Sequence, residues 1–216
     1  MKKLLFKLFL VFLSTQWSYA AGLIFISSCG NSHQEETSKL EPDQEKEGTL
    51  ILFLTRTENT EALAKIIHDQ VGGTLVELEL ENPYPEDYQS IVEQVDLENE
   101  TGFLPALKTR VDSMENYATV FVGFPTWDMQ LPPPMKSFLN HYNLSGKTII
   151  PFNTNGGYGV GSGFETVKEL CPNSTVLEGY STTGGSERDG ILFVMEGEKR
   201  EQTEAEVKEW LQKIIN

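Results

Sequence analysis

From Thr49 onward, short unbroken apolar runs alternate with stretches whose apolar residues recur every three or four positions. Leu50–Leu54, Thr119–Phe124 and Thr148–Phe152 are rich in β-branched and aromatic residues, as expected of strands buried on both faces. Thr74–Leu80 alternates like a half-buried edge strand, and Thr175–Tyr180 reads as a fifth strand. Leu63, Ile66, Ile67 and Val71 share one helical face, and Gly72-Gly73 ends that helix. An acidic, weakly amphipathic helix is expected from Glu86 to about Val95, followed by an irregular segment through Leu107. Pro132–Pro134 opens a further helix, because proline is tolerated in a first turn. Glu165–Cys171 and the spacing of Val207, Trp210, Leu211 and Ile214 predict the last two helices. Strand following helix in this rhythm predicts an α/β open parallel sheet with helices on both faces. Ser181–Gln202 breaks the rhythm; within it Ile191–Met195 reads as a short extra strand or as the rest of a split fifth one.

Upstream of Thr49 the pattern changes twice. Met1-Lys2-Lys3 leads into a long apolar stretch reaching Ser28, the layout of an export signal. Ile26-Ser27-Ser28-Cys29 resembles the lipobox of bacterial lipoproteins, in which Cys29 would become the lipid-bearing first residue of the mature chain. Two plainer readings stand beside it: cleavage after Ser18-Tyr19-Ala20, or an uncleaved membrane anchor. Residues 29–48 are polar and read as a solvated tether, so the folded domain is expected over 49–216. The two cysteines, Cys29 and Cys171, are not expected to pair, and Cys171 is expected to be a small buried residue at a helix end.

The 216-residue chain carries 17 basic and 32 acidic residues, a net charge of −15. Residues 1–28 hold three of the lysines and no acid, so the remainder is more acidic still. Such a surface repels nucleic acid and anionic lipid headgroups. The three histidines are scattered and suggest no metal site. No Gly-x-Ser-x-Gly elbow, Walker loop or dinucleotide glycine fingerprint is present.

In an open α/β sheet, ligands bind beyond the carboxyl ends of the strands. Three loops there carry unusual content. Thr55-Arg56-Thr57-Glu58-Asn59-Thr60 joins the first strand to a helix N-terminus, where N–H groups and hydroxyls converge on anions. Pro125-Thr126-Trp127-Asp128 presents an aromatic ring, and Thr154-Asn155-Gly156-Gly157-Tyr158 brings glycine backbone that can approach a planar ligand. Each loop has a plain alternative: helix capping for the first, a packed core aromatic for Trp127, a flexible surface loop for the third.

In this combination the domain resembles the flavodoxin-like FMN proteins. The resemblance implies a five-stranded sheet in the order 2-1-3-4-5. It assigns the FMN phosphate to Thr55, Arg56, Thr57, Asn59 and Thr60. The flavin ring would lie by Pro125, Thr126, Trp127 and Asp128 and by Thr154, Asn155, Gly156, Gly157 and Tyr158. Pro83–Tyr88, Leu144–Thr148 and Cys171-Pro172-Asn173 are similar to the same family. Two positions depart from it. Glu58 stands where the family has glycine, and its backbone is expected to avoid positive φ. Asp128 follows Trp127 where carriers of the family often have a glycine whose peptide flips toward the flavin, which points to two-electron chemistry. The expected function is an FMN-dependent reductase of a small acceptor such as a quinone, held at the bacterial envelope by a lipid anchor. A one-electron carrier docking to redox partner proteins and a cofactor-free binding module are the alternatives, and no nucleic-acid partner is expected.

Overall fold

The computed structural model describes residues 48–215. Cys29, its lipobox, the signal and most of the tether lie outside the described residues. Gly48, expected to close the tether, is already the first residue of a strand.

In chain order the elements are β1 (Gly48–Phe53), α1 (Asn59–Val71), β2 (Thr74–Glu77), α2 (Tyr88–Thr101) and β3 (Tyr117–Pro125). They continue with α3 (Pro133–His141), β4 (Thr148–Asn155), α4 (Gly163–Leu170), β5 (Thr175–Val176), β6 (Tyr180–Thr183) and α5 (Gly197–Ile215). The sheet is parallel, in the order β2-β1-β3-β4-β5, with β6 also paired to β4. The fifth sheet position is therefore split: β5 pairs with the start of β4 at Thr148 and Ile149, and β6 with its end from Phe152 to Asn155. Gly179, between the two pieces, lies where an added Cβ would sit 2.6 Å from the Phe164 ring.

Strand periodicity divides the core between the two sheet faces. Leu50, Leu52, Val120, Val122 and Ile149 pack with Met135, Phe138 and Leu139 of α3 and Val167 of α4. Ile51, Phe53, Phe121, Ile150 and Phe152 pack with Leu63, Ile66 and Ile67 of α1 and Val207, Trp210 and Leu211 of α5. Burying each such side chain contributes about 2 kcal/mol. Cys171 is buried at the end of α4, as expected, and burial raises its thiol pKa to about 11.

Several boundaries differ from the sequence expectation. β2 stops at Glu77, because Leu80 leaves the sheet to bridge Leu107. Asp87 accepts from Ser90 N–H and caps α2, which runs on to Thr101 before Gly102 turns the chain at φ 66°. β4 extends to Asn155, so Thr154 and Asn155 are strand residues rather than loop residues. Ile191–Met195 is not a strand; Ile191 makes one bridge to Ser186 and the rest is irregular. Among the described residues no helix is long and apolar enough to cross a membrane.

Candidate functional site

β1 and β3 are sheet neighbours, but the chain leaves β1 toward β2 on one side and later returns as β3 on the other. The loops after these two strands therefore diverge and open a cleft, where an open α/β sheet binds its ligand. The cleft has a volume of about 500 Å³, within the range of cofactor pockets. Thr57, Asn59 and Thr60 form one end of it, and Pro125–Met129 and Thr154–Gly156 with Tyr158 form further walls. Arg56 also reaches it. Gly157 does not line the cleft, and neither does Thr55, which lies part-buried at the base of the first loop.

The first loop is built as an anion cradle. α1 starts without a side-chain cap, unlike α2, so the N–H groups of its first turn keep their donor capacity. Immediately upstream, Thr55 Oγ1 is the one buried side-chain polar atom among the described residues that lacks a hydrogen-bond partner. Open N–H groups at the positive end of a helix dipole, beside an unpaired hydroxyl, suit a phosphate. Glu58, at the N-cap, has φ 63° and ψ −6°. This corrects the expectation that a non-glycine residue there would avoid positive φ: the left-handed turn is kept despite the added Cβ, with the carboxylate on the exposed side. A left-handed residue other than glycine costs about 1–2 kcal/mol.

Two side chains of this loop are already occupied. Asn59 Nδ2 donates to Thr57 O at 3.1 Å, Thr57 Oγ1 at 2.9 Å and Leu192 O at 2.6 Å, while its Oδ1 accepts from Val194 N–H at 3.0 Å. Arg56 Nε and Nη2 hold the Glu187 carboxylate at 2.7 Å each, and its other contacts are the carbonyls of Pro85 and Glu86. Asn59 and Arg56 thus bind the segment after β6 to the first loop. Asn59 can face a ligand only through its backbone. Thr60 Oγ1 pairs with Thr154 Oγ1 at 2.8 Å, joining two walls of the cleft.

The second loop is a tight turn from Trp127 to Gln130, closed by Gln130 N–H donating to Trp127 O at 2.8 Å. Asp128 and Met129, its central residues, have φ 47° and 53°, the signature of a type I′ turn usually made by asparagine and glycine. The turn is held from outside. Asp128 Oδ2 accepts from Asn99 and Gln130 at 3.0 and 2.8 Å, and Met129 O accepts from Ser162 N–H at 2.9 Å. Gly161 permits that last contact, since a Cβ there would lie 2.0 Å from Met129 O. Lys136 joins the network by donating to Asn99 Oδ1, and burial holds its pKa below the usual lysine value. Trp127 is part-buried and meets Tyr84 edge-on, with ring centroids 5.3 Å apart. Tyr84 in turn donates its hydroxyl to the buried Glu98 carboxylate, and burial, then that contact, pushes its own pKa far up.

In the third loop Asn155 Oδ1 accepts from the N–H groups of Gly157 and Gly159 and so shapes the turn. Its amide donates to Asn153 and Ser181. Thr126 Oγ1 donates to Gly159 O at 2.9 Å, tying the second loop to the third.

Two groups of lining residues were not anticipated. The α2 face presents Tyr88, Ile91, Val92 and Val95, and the segment after β6 contributes Gly184–Arg188. The sequence carries a signal for the second group: Gly184-Gly185 follows a strand C-terminus, the position where ligand loops gather. An added Cβ at Gly185 would lie 2.1 Å from Leu192 O, so glycine lets this segment fold back on itself.

A family profile described as Flavodoxin matches residues 48–214. Among solved structures, a protein assigned as a flavoprotein from Bacteroides uniformis is 24% identical with a TM-score of 0.61, over 76% of this chain and 97% of that one. A counterpart from Bacteroides eggerthii is 23% identical with a TM-score of 0.63, over 78% and 98%. A flavoprotein in complex with FMN from Lactobacillus acidophilus is 20% identical with a TM-score of 0.54, over 67% and 97%. No curated protein matches the chain.

Proposed function

The chain belongs to the flavodoxin family, and from that premise we propose that its cleft binds FMN and that the loaded protein is a reductase of a small acceptor such as a quinone. The observation that carries the cofactor assignment is the uncapped start of α1 beside the unpaired Thr55 hydroxyl. The first-turn N–H groups, Thr57 and the unpaired Thr55 hydroxyl at the base of the loop would hold the phosphate. Trp127, Thr126 and the backbone around Gly156 would border the ring, with the apolar α2 face excluding water from it.

FMN supplies two-electron transfer when bound. A reduced nicotinamide gives up a hydride, and a quinone becomes a hydroquinone by gaining those two electrons, the accompanying proton and one more from solvent. The chain's part is to bind and orient. The doubly left-handed Asp128–Met129 turn is fixed at Asp128, Met129 and Gln130, which opposes backbone rearrangement beside the ring and favours the two-electron reading. One observation favours a one-electron carrier instead: Ile191, Leu192 and Phe193 are exposed beside the cleft, as a partner-docking surface would be.

The envelope placement rests on the sequence alone: Cys29 would carry the lipid, and the domain would work at a membrane surface near quinones. Cys29→Ser should release the protein from the membrane fraction; unchanged fractionation contradicts the anchor. For the activity, residues 48–216 are reconstituted with FMN and titrated with a reductant. A single two-electron step, with rapid bleaching by a reduced nicotinamide and recovery on adding a quinone, is expected. Two well-separated one-electron steps would favour the carrier, and a protein that stays colourless would remove the flavin reading.

A further inference from the structure

Two guanidinium groups line the cleft, and they differ in what they have left to offer. Arg56 is spent. It grips the Glu187 carboxylate through two nitrogens, donates to two backbone carbonyls, and its side chain is only 19% exposed. Arg188 is not. Its Cζ lies 5.1 Å from the Tyr158 ring centroid and its Nη2 donates to the Tyr158 hydroxyl, while Nη1 has no acceptor among the described residues. Its side chain is 59% exposed. The one carboxylate beside it among the described residues is Asp189, whose Oδ1 is 3.3 Å from Nε and whose Oδ2 is 3.4 Å from Nη2 and also takes the Ser186 hydroxyl at 2.5 Å. An exposed ion pair of that length neutralises little.

Resting on the FMN reading above, we infer that Arg188, braced on Tyr158, recognises the anionic group of a planar acceptor that enters the cleft against the flavin. A guanidinium braced on a ring is held in place, and its unengaged Nη1 can donate a charge-assisted hydrogen bond to a carboxylate or sulfonate. Exposed apolar surface for the planar body is close at hand in Tyr158, Met129 and Tyr88, all of which line the same cleft. Of the acids lining the cleft, Glu187 is neutralised by Arg56, and Asp128, hydrogen-bonded by Asn99 and Gln130, lies near the Lys136 ammonium. Asp96 sits on α2. A chain of net charge −15 repels anions at long range, so preference for an anionic acceptor needs a fixed local cation, and Arg188 is the one placed for it.

The test uses unreactive probes and reads binding rather than turnover. The FMN-loaded protein is titrated with 2-naphthoate and with its uncharged counterpart 2-naphthamide, following the flavin spectrum, in the wild type and in Arg188→Gln and Arg188→Lys. The wild type is expected to prefer naphthoate. Arg188→Gln should weaken naphthoate by about tenfold, as loss of a charge-assisted contact implies, leaving naphthamide and FMN affinities unchanged. Arg188→Lys should restore part of the preference. Unchanged naphthoate affinity in Arg188→Gln, an equal loss for naphthamide, or wild-type protein that binds neither probe overturns the inference. A tenfold loss of FMN itself also overturns it, by placing Arg188 in the cofactor site. Wild-type protein that takes up no FMN is a separate result: it overturns the underlying flavin reading.

Discussion

Asn59, the first residue of α1, donates through its side-chain amide to the carbonyl of Leu192, 133 residues further along, at 2.6 Å. The same side chain accepts from Val194 N–H, and the residue is 2% exposed. A helix start at the ligand end of the sheet is thereby joined to an irregular segment that regular pairing does not hold. Asn59→Ala should cost about 2–3 kcal/mol in urea unfolding, because buried backbone groups at Leu192 and Val194 lose their partner. Hydrogen exchange should rise first at residues 190–195. Uniform loosening of the whole domain would contradict the local role.

Glu58 carries backbone strain at φ 63°. Glu58→Gly should therefore raise stability by about 1 kcal/mol and, by removing a carboxylate beside the cradle, tighten FMN severalfold. A chemical denaturation curve that does not move would mean the left-handed turn costs nothing here.

Tyr180 donates its hydroxyl to Glu206 Oε2 at 2.7 Å, joining β6 to α5. That bond first, then one from Gln202, holds the Glu206 carboxyl below its ordinary value. A depressed folded-state pKa stabilises above the unfolded value near 4.5, and the stabilisation is lost as pH falls through the folded value. Tyr180→Phe should cost about 1 kcal/mol at pH 7, an upper figure given that Glu206 is partly solvated, and less at pH 3.5. A penalty independent of pH would assign the loss to packing alone.

The sequence made the sheet legible where burial leaves a plain pattern. Leu50–Leu54, Thr119–Phe124 and Thr148–Phe152 all fall on central strands or their immediate ends. Edges were harder. Thr175–Tyr180 reads as one strand, yet β5 and β6 are separate pieces, each held by a different part of β4 rather than by its own propensity. Ile191–Met195 has strand composition but lies outside the sheet. Asn59 fixes Leu192 and Val194 from 133 and 135 residues away, a contact no local pattern encodes. The three ligand loops were recognisable from residue type and position, whereas the α2 wall, although its residues fall within the expected helix, required knowing that this helix packs beside the cleft. Positive φ at Glu58 escaped notice because intrinsic preference argues against it, and the loop imposes it.

The central claim is that the uncapped start of α1 with Thr55 is a phosphate site, and comparing FMN with riboflavin, which differs only by the phosphate, tests it most directly. Titrating residues 48–216 with each flavin, by quenching of flavin or tryptophan fluorescence, should give FMN the tighter binding by on the order of a hundredfold, as two or more charge-assisted bonds imply. Thr55→Val should lower FMN affinity about tenfold, leave riboflavin unaffected, and leave the ligand-free protein as stable or more so, since it removes an unpaired buried hydroxyl. Equal affinity for the two flavins, or an equal loss of both in Thr55→Val, would contradict the account.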